Sequence, residues 1–211
     1  MTVKIYGFGY VGKAMKTLFP DALVCDPALG MNSNDVCDVA FVCVPTPHIE
    51  GWGLDTSIVE EVVEKAPEKL IIIRSTVNPG TTDRLIQKTG KNIVFSPEYL
   101  GETINHPMTN QKERSFIVLG GLPEARQRVI ELYTGIYNAN TKIRQVTAYE
   151  AEVIKLSENR AIAFKAAECQ ELYDACKEAG VDYYTVRDVV YGDDPRFNLW
   201  WTFVYPDKRG M

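Results

Sequence analysis

From Val3 to Val146 the chain alternates short, apolar, β-branched runs with helical patterns, and this alternation limits the fold more than any other feature. The spacing predicts strands at Val3–Phe8, Ala22–Asp26, Val39–Pro45, Leu70–Thr76, Asn92–Ser96, Phe116–Gly120 and Lys142–Val146. Helices are predicted between them at Tyr10–Leu18, Ile58–Lys65, Thr81–Lys88 and Pro123–Tyr137. The strand runs are almost wholly apolar rather than alternating, as when helices cover both faces of a sheet. Strand–helix–strand order with short connections then implies a mainly parallel, doubly wound α/β sheet.

A different regime starts at Thr147. Thr147 and Glu150 form a T-x-x-E capping box, and no Pro or Gly follows until Gly180, so one long helix is expected. Ala151, Ile154, Ile162, Ala166, Cys169, Tyr173 and Cys176 keep helical spacings and give it a long apolar stripe. Such a stripe must be buried, which makes a homodimer through the 147–179 helix the expected assembly. A further helix is expected near Tyr183–Tyr191, before Asp194-Pro195-Arg196 and an uncharged aromatic tail, Phe197–Tyr205. The predicted organisation is therefore one domain over 1–146, and over 147–211 the long helix with the start of a helical domain.

Composition excludes several classes. With 23 basic and 28 acidic residues the net charge is −5, and no basic block points to nucleic acid or an anionic membrane. Five cysteines without C-x-x-C spacing suit free thiols in the cytoplasm, and two histidines make a metal site unexpected. The N-terminus does not read as a signal peptide, and no apolar run approaches a membrane span.

The first predicted strand runs into Gly7-Phe8-Gly9-Tyr10-Val11-Gly12, a G-x-G-x-x-G between strand and helix. In such a loop the first glycine makes the turn, the second admits a pyrophosphate and the third lets the helix pack closely. Asp26 ends the second strand 19 residues after Gly7, where a carboxylate can hold ribose hydroxyls and repel an added phosphate. This favours NAD over NADP and a Rossmann-type fold, against the plainer reading of a glycine-rich turn beside a surface Asp. Cys43-Val44-Pro45-Thr46-Pro47, Arg74-Ser75-Thr76 and Ser96-Pro97-Glu98-Tyr99-Leu100-Gly101-Glu102 each leave the carboxyl end of a predicted strand, where ligands bind in parallel sheets. Taken singly, each also reads as a turn or a solvated loop, and Thr81 and Thr82 read as helix caps. Lys155 and Asn159 lie four apart and share a helix face.

In this order these motifs resemble the UDP-glucose/GDP-mannose dehydrogenase family. The stretches are G-F-G-Y-V-G, F-V-C-V-P-T-P, D-T-S at Asp55–Ser57, R-S-T-V-N-P-G-T-T, S-P-E-Y-L-G-E, E-x-x-K-x-x-x-N at Glu152–Asn159, and a D-x-R ending at Arg196. The resemblance implies NAD-dependent, two-step oxidation of a nucleotide-sugar primary alcohol, of the UDP-glucose to UDP-glucuronate type. It implies cofactor contacts from Gly7, Gly9, Tyr10, Val11, Gly12, Asp26, Val44, Pro45, Thr46, Ser75, Thr76 and Glu102. Glu98, Tyr99, Leu100, Lys155, Asn159 and Arg196 would meet the substrate. Thr76 and Glu98 would position water or substrate, and Lys155 and Asn159 would stabilise a developing oxyanion.

The chain departs from the family's pattern in three ways. No cysteine matches the family's G-G-x-C nucleophile segment, these 211 residues do not reach the family's C-terminal nucleotide-binding domain, and only 16 residues separate Asp26 from Cys43. A shortened or truncated form is expected. The alternatives are a β-hydroxyacid dehydrogenase, which needs no cysteine, and a non-catalytic NAD-binding or dimerisation module.

Overall fold

The computed structural model of the protein describes residues 1–51, 53–101, 110, 112 and 114–197. Two compact units are present, the first running through Lys155 and the second beginning at Leu156, within one continuous helix. Strands β1 (Val3–Tyr6), β2 (Leu23–Cys25) and β3 (Val39–Val42) open the first unit, followed by a small hairpin of β4 (His48–Ile49) and β5 (Gly53–Leu54). Then come β6 (Leu70–Ile73), β7 (Asn92–Phe95), β8 (Phe116–Gly121) and β9 (Lys142–Val146). Helices α1 (Tyr10–Leu18), α2 (Ser57–Lys65), α3 (Thr81–Thr89) and α4 (Pro123–Tyr133) lie between them, and α5 (Ala148–Ala179) crosses the boundary.

Seven strands form one sheet in the order β2-β1-β3-β6-β7-β8-β9. The first five are parallel, β8 pairs antiparallel with β7, and β9 pairs parallel with β8. The sheet is thus mainly parallel and Rossmann-like, as the alternating pattern predicts. Met15 and Leu18 of α1 with Ala125 and Val129 of α4 cover one face, packing with Ile5, Phe41, Ile72 and Leu119. Val59 and Val63 of α2, Leu85 of α3 and Ala151 of α5 pack with Val42, Ile71, Ile73 and Phe95 on the other. Apolar residues at successive strand positions serve both layers, which is why the strands do not alternate.

Three strands end earlier than their apolar runs. β1 stops at Tyr6, β3 at Val42 and β6 at Ile73, two or three residues short of the predicted ends. Gly7 leaves the ladder with φ +87°, Pro45 has no amide to donate, and Ser75 turns its hydroxyl to the Val44 carbonyl at 2.6 Å. The antiparallel turn of β8 and the β4–β5 hairpin carry no clear signal in the sequence pattern.

The β2-to-β3 connection contains no α-helix. It holds one 3-10 turn, Pro27–Leu29, capped by Asp26 Oδ1 accepting from the Ala28 amide at 3.1 Å, and a bridge between Asp26 and Met31. Charge closes the sheet nearby. Lys4 and Glu68 are buried as a pair (Nζ–Oε1 3.4 Å), while the Tyr6 hydroxyl and the Cys37 amide donate to Glu68 at 3.0 and 3.2 Å. A buried pair of this kind holds only because its remaining lone pairs are satisfied.

The capping box forms as expected: the Thr147 amide donates to Glu150 Oε2 at 2.8 Å, and the Glu150 amide to Thr147 Oγ1 at 3.2 Å. In the second unit Cys169 and Cys176 of α5 are buried, and Ile162, Ala166 and Tyr173 are half-buried. Helix α6 (Tyr183–Arg187), capped by Asp182 onto the Thr185 amide at 2.8 Å, passes into a π-helical turn, Asp188–Asp193. Tyr191 in that turn donates to Glu168 at 3.0 Å and lies under the Lys165 ammonium. No helix among the described residues is long and apolar enough to cross a membrane.

Candidate active site

The glycine loop joins β1 to α1. Gly7 takes the left-handed conformation that glycine allows, and a side chain there would also meet the Cys43 carbonyl oxygen at 2.5 Å; a Cβ on Gly12 would run into the Gly7 carbonyl. Gly9 is the opposite case: a Cβ there would meet nothing within 4 Å, so the loop's outer side is open. Helix α1 starts at this open point, Gly9 being its N-cap with no side-chain cap and no acidic residue in the first turn. Its first amides therefore face outward, the arrangement that receives an anion. Tyr10 is exposed and Val11 half-buried, and the Tyr10 hydroxyl donates to the Gly101 carbonyl. Asp26 stands beside the loop, its Oδ2 accepting from the Phe8 amide at 2.7 Å.

The next strand ends line up along the same edge. After β3, Val44 and Thr46 are half-buried and Pro45 is exposed. After β6, Ser75 is buried against Val44 and Thr76 is half-buried. Burial pushes the Cys43 thiol up to about 12. Asn78 brackets the β5 backbone, accepting from the Leu54 amide at 3.0 Å and donating to its carbonyl at 2.7 Å.

After β7 the site is built from charge. Glu98 is buried between two buried arginines: Arg74 Nη2 donates to Oε2 at 2.5 Å, and Arg114 Nη2 grips Oε1. The same Oε1 accepts the amides of Tyr99 (2.7 Å) and Leu100 (2.8 Å). Arg74 also donates to the Ser96 carbonyl and hydroxyl at 2.6 and 3.0 Å. Above this loop lies the first part of α5. Lys155 is 9% exposed, and its ammonium sits 4.7 Å from the centroid of the Tyr99 ring. One turn earlier the fully buried Glu152 accepts from the Gly80 and Thr82 amides at 2.5 and 2.8 Å.

That last contact corrects the capping expectation. The N-cap of α3 is Gly80 and offers no side chain, so Thr81 and Thr82 do not cap the helix, and a carboxylate from α5 takes the orphan amides instead. Burial raises the Glu152 carboxyl above its ordinary range, against the amides that favour its charged form. Arg74 and Glu152 appear in the sequence motifs without a role, and Arg114 lies in none of them. Asn159 and Arg196 belong to the second unit, both exposed, with Arg196 forked onto Asp194 at 2.6 to 3.1 Å. Glu102, an expected cofactor contact, lies outside the described residues.

Residues 29–139 match the model of the UDP-glucose/GDP-mannose dehydrogenase family, NAD binding domain. The chain belongs to this family. Its relatives include a UDP-N-acetyl-D-mannosamine dehydrogenase of Methanocaldococcus jannaschii, 27% identical over 212 aligned positions that cover 93% of this chain and 48% of that protein. A GDP-mannose 6-dehydrogenase of Pseudomonas aeruginosa is 29% identical, covering 77% of this chain and 40% of its own length. Among solved structures, a UDP-glucose dehydrogenase from Pyrobaculum islandicum superposes with a TM-score of 0.74 at 20% identity, covering 96% of this chain and 59% of that one. The chain therefore spans about half the length of the relatives it matches.

The matched part is the family's NAD-binding domain, and NAD is the cofactor of that domain. The glycine loop fits it. Gly9 leaves open the space that a side chain would fill, with the uncapped start of α1 beside it and the Asp26 carboxylate at the end of the neighbouring strand. The match to the family model begins at residue 29, downstream of both features.

Proposed function

We propose that this chain is the cofactor-binding half of an NAD-dependent nucleotide-sugar 6-dehydrogenase, of the type that oxidises UDP-glucose to UDP-glucuronate. The observation that carries the reading is that one sheet edge holds both the open glycine loop with Asp26 and the Lys155–Tyr99–Glu98 group. NAD, when bound, accepts hydride from the carbon being oxidised. The amides at Gly9, Tyr10 and Val11 hold a diphosphate, with Gly7 and Gly12 shaping the loop, and Asp26 accepts from ribose hydroxyls. Val44, Pro45, Thr46, Ser75, Thr76 and Glu102 complete the cofactor side.

On the substrate side, Lys155 supplies a cation for the oxygen that becomes negative as the alcohol is oxidised, with Asn159 as an amide donor one turn on. Thr76 positions water or substrate. Glu98, already engaged by two guanidiniums and two amides, acts by fixing the Tyr99–Leu100 backbone that faces the sugar. Arg196 meets the nucleotide. The second oxidation needs a thiolate, and burial raises the thiols of Cys37, Cys43 and Cys169 instead. The five free cysteines suit a cytoplasmic setting.

Calorimetric titration of the 211-residue chain with NAD and NADP, followed by NADH detection with UDP-glucose, tests this. NAD is expected to bind more tightly, with no steady NADH formed by this chain alone. Equal or tighter NADP binding would overturn the role of Asp26, and steady turnover would overturn the thiol argument. The reading includes a homodimer through α5, supported by the half-buried Ile162, Ala166 and Tyr173. Sedimentation velocity should show a dimer that Ile162→Glu converts to monomer.

A further inference from the structure

We propose that Arg114 is a positioning residue for Lys155, acting through Glu98 and Tyr99. Its functional meaning rests on Lys155 being the oxyanion-stabilising group; the geometry itself does not. Six contacts make the chain of influence. Arg114 grips Glu98 Oε1 while Arg74 holds Oε2 at 2.5 Å, so the carboxylate plane is fixed from both sides. That same Oε1 carries the Tyr99 and Leu100 amides at 2.7 and 2.8 Å, so any rotation of the carboxylate loosens both peptides. The Tyr99 ring, 8% exposed, leans on Phe116 with ring centroids 4.9 Å apart and planes at 48°. Above it, at 4.7 Å from the centroid, is the Lys155 ammonium.

Two supports of the ring therefore come from one short stretch, Arg114 through the Glu98 clamp and Phe116 by direct packing. The helix that carries Lys155 is anchored separately, by Glu152 on the Gly80 and Thr82 amides. With the helix pinned there, the ring contributes to where the ammonium rests and how it is sheltered, because a cation gains by standing over an aromatic face. Arg74 cannot play this part cleanly, since it also holds the Ser96 carbonyl and hydroxyl at the end of β7. Removing Arg114 leaves one arginine for one carboxylate, a balanced pair, so the fold has no stranded charge.

The test is competitive trace labelling of lysine amines with acetic anhydride on the full 211-residue chain, read residue by residue by mass spectrometry. Lys91 is the internal control: it is held by the Val63 and Ala66 carbonyls at 2.6 Å each and the Glu64 carbonyl at 3.1 Å, and makes no contact with the Glu98 clamp. In Arg114→Met, labelling of Lys155 should rise about threefold or more, the factor expected when a cation–π contact is lost. Lys91 should stay at its wild-type value, and Arg114→Lys should recover part of the protection. A Lys155 that does not change, or a rise shared equally by Lys91, would overturn the proposal; the second result would mean general loosening. If Arg114→Met does not fold, Tyr99→Leu and Tyr99→Phe decide instead. The first should expose Lys155 and the second should not, and equal labelling in the two would overturn the proposal. No cofactor or substrate enters the measurement, so the dehydrogenase reading can fail in its own assays while this result stands, and the reverse.

Discussion

At the β1–β2 end of the sheet edge the chain offers backbone: helix amides, an open glycine and a carboxylate tied to the Phe8 amide. At the β6–β7 end it offers buried charge: Arg74, Arg114, Glu98, Glu152 and Lys155, each with partners. The two materials suit different tasks. A diphosphate keeps its charge through a reaction cycle, so fixed dipoles on rigid turns can hold it with no rearrangement. A carbon that changes oxidation state creates charge at one oxygen, and serving that needs a charged group whose position is set in advance. The cost of the second design is that its groups are interdependent. Removing the shared Glu98 carboxylate there strands both arginines, whereas a change in the glycine loop alters either space or turn geometry.

The largest expected effect follows from that interdependence. Glu98→Ala leaves two buried guanidiniums without their carboxylate and frees the Tyr99 and Leu100 amides. Breaking a buried ion network by removing one partner costs about 3–5 kcal/mol, and urea unfolding should show a loss in that range. A loss under about 0.5 kcal/mol, the size of an ordinary surface substitution, would mean that the β6–β7 end is not built on this network.

At the other end, two glycines should separate stability from binding. Gly12→Ala drives a Cβ into the Gly7 carbonyl and should lower the melting temperature. Gly9→Ala adds a methyl group to open space, so stability should hold within about 0.5 kcal/mol. That methyl group stands where the loop receives a diphosphate, and NAD affinity by calorimetry should fall about tenfold or more, as when a backbone approach is blocked. Unchanged affinity in Gly9→Ala would put the cofactor elsewhere and dissolve the contrast between the two ends.

The same contrast explains what could be read from the sequence. Gly7, Gly9, Gly12 and Asp26 act through backbone geometry within one strand–turn–helix unit, so their spacing in the chain already encodes the site. The strands and the α5 capping box were legible for the same reason, being local. Arg114 has its partner 16 residues away, Arg74 has it 24 away and Glu152 reaches amides 70 and 72 away, so only the assembled sheet brings them together. Lys155 shows this most clearly. Its neighbours Ile154 and Leu156 say nothing about burial, and part of its shelter comes from Tyr99 on a distant strand end. The reversed direction of β8 is likewise a pairing property: a short apolar run reads alike in either direction.

The smallest effect is a slope in stability against pH, and it separates the two ends by titration. Burial raises the Glu152 carboxyl above its ordinary value of 4.5 in the folded protein. A carboxyl raised on folding takes up a proton more readily when folded than when unfolded. Its charged form therefore costs stability at neutral pH, and that cost is relieved as pH falls through the folded value toward 4.5. The wild type should accordingly gain stability relative to Glu152→Gln as pH drops from neutral into the carboxylate range, measured as the difference between paired urea curves. Glutamine keeps one oxygen for the Gly80 or Thr82 amide, so helix α3 remains partly capped and the variant stays comparable. A difference that runs the other way, with wild type losing stability on acidification, would show that the two amides outweigh burial. Glu152 would then belong with the dipole-built end of the edge rather than with the charged one.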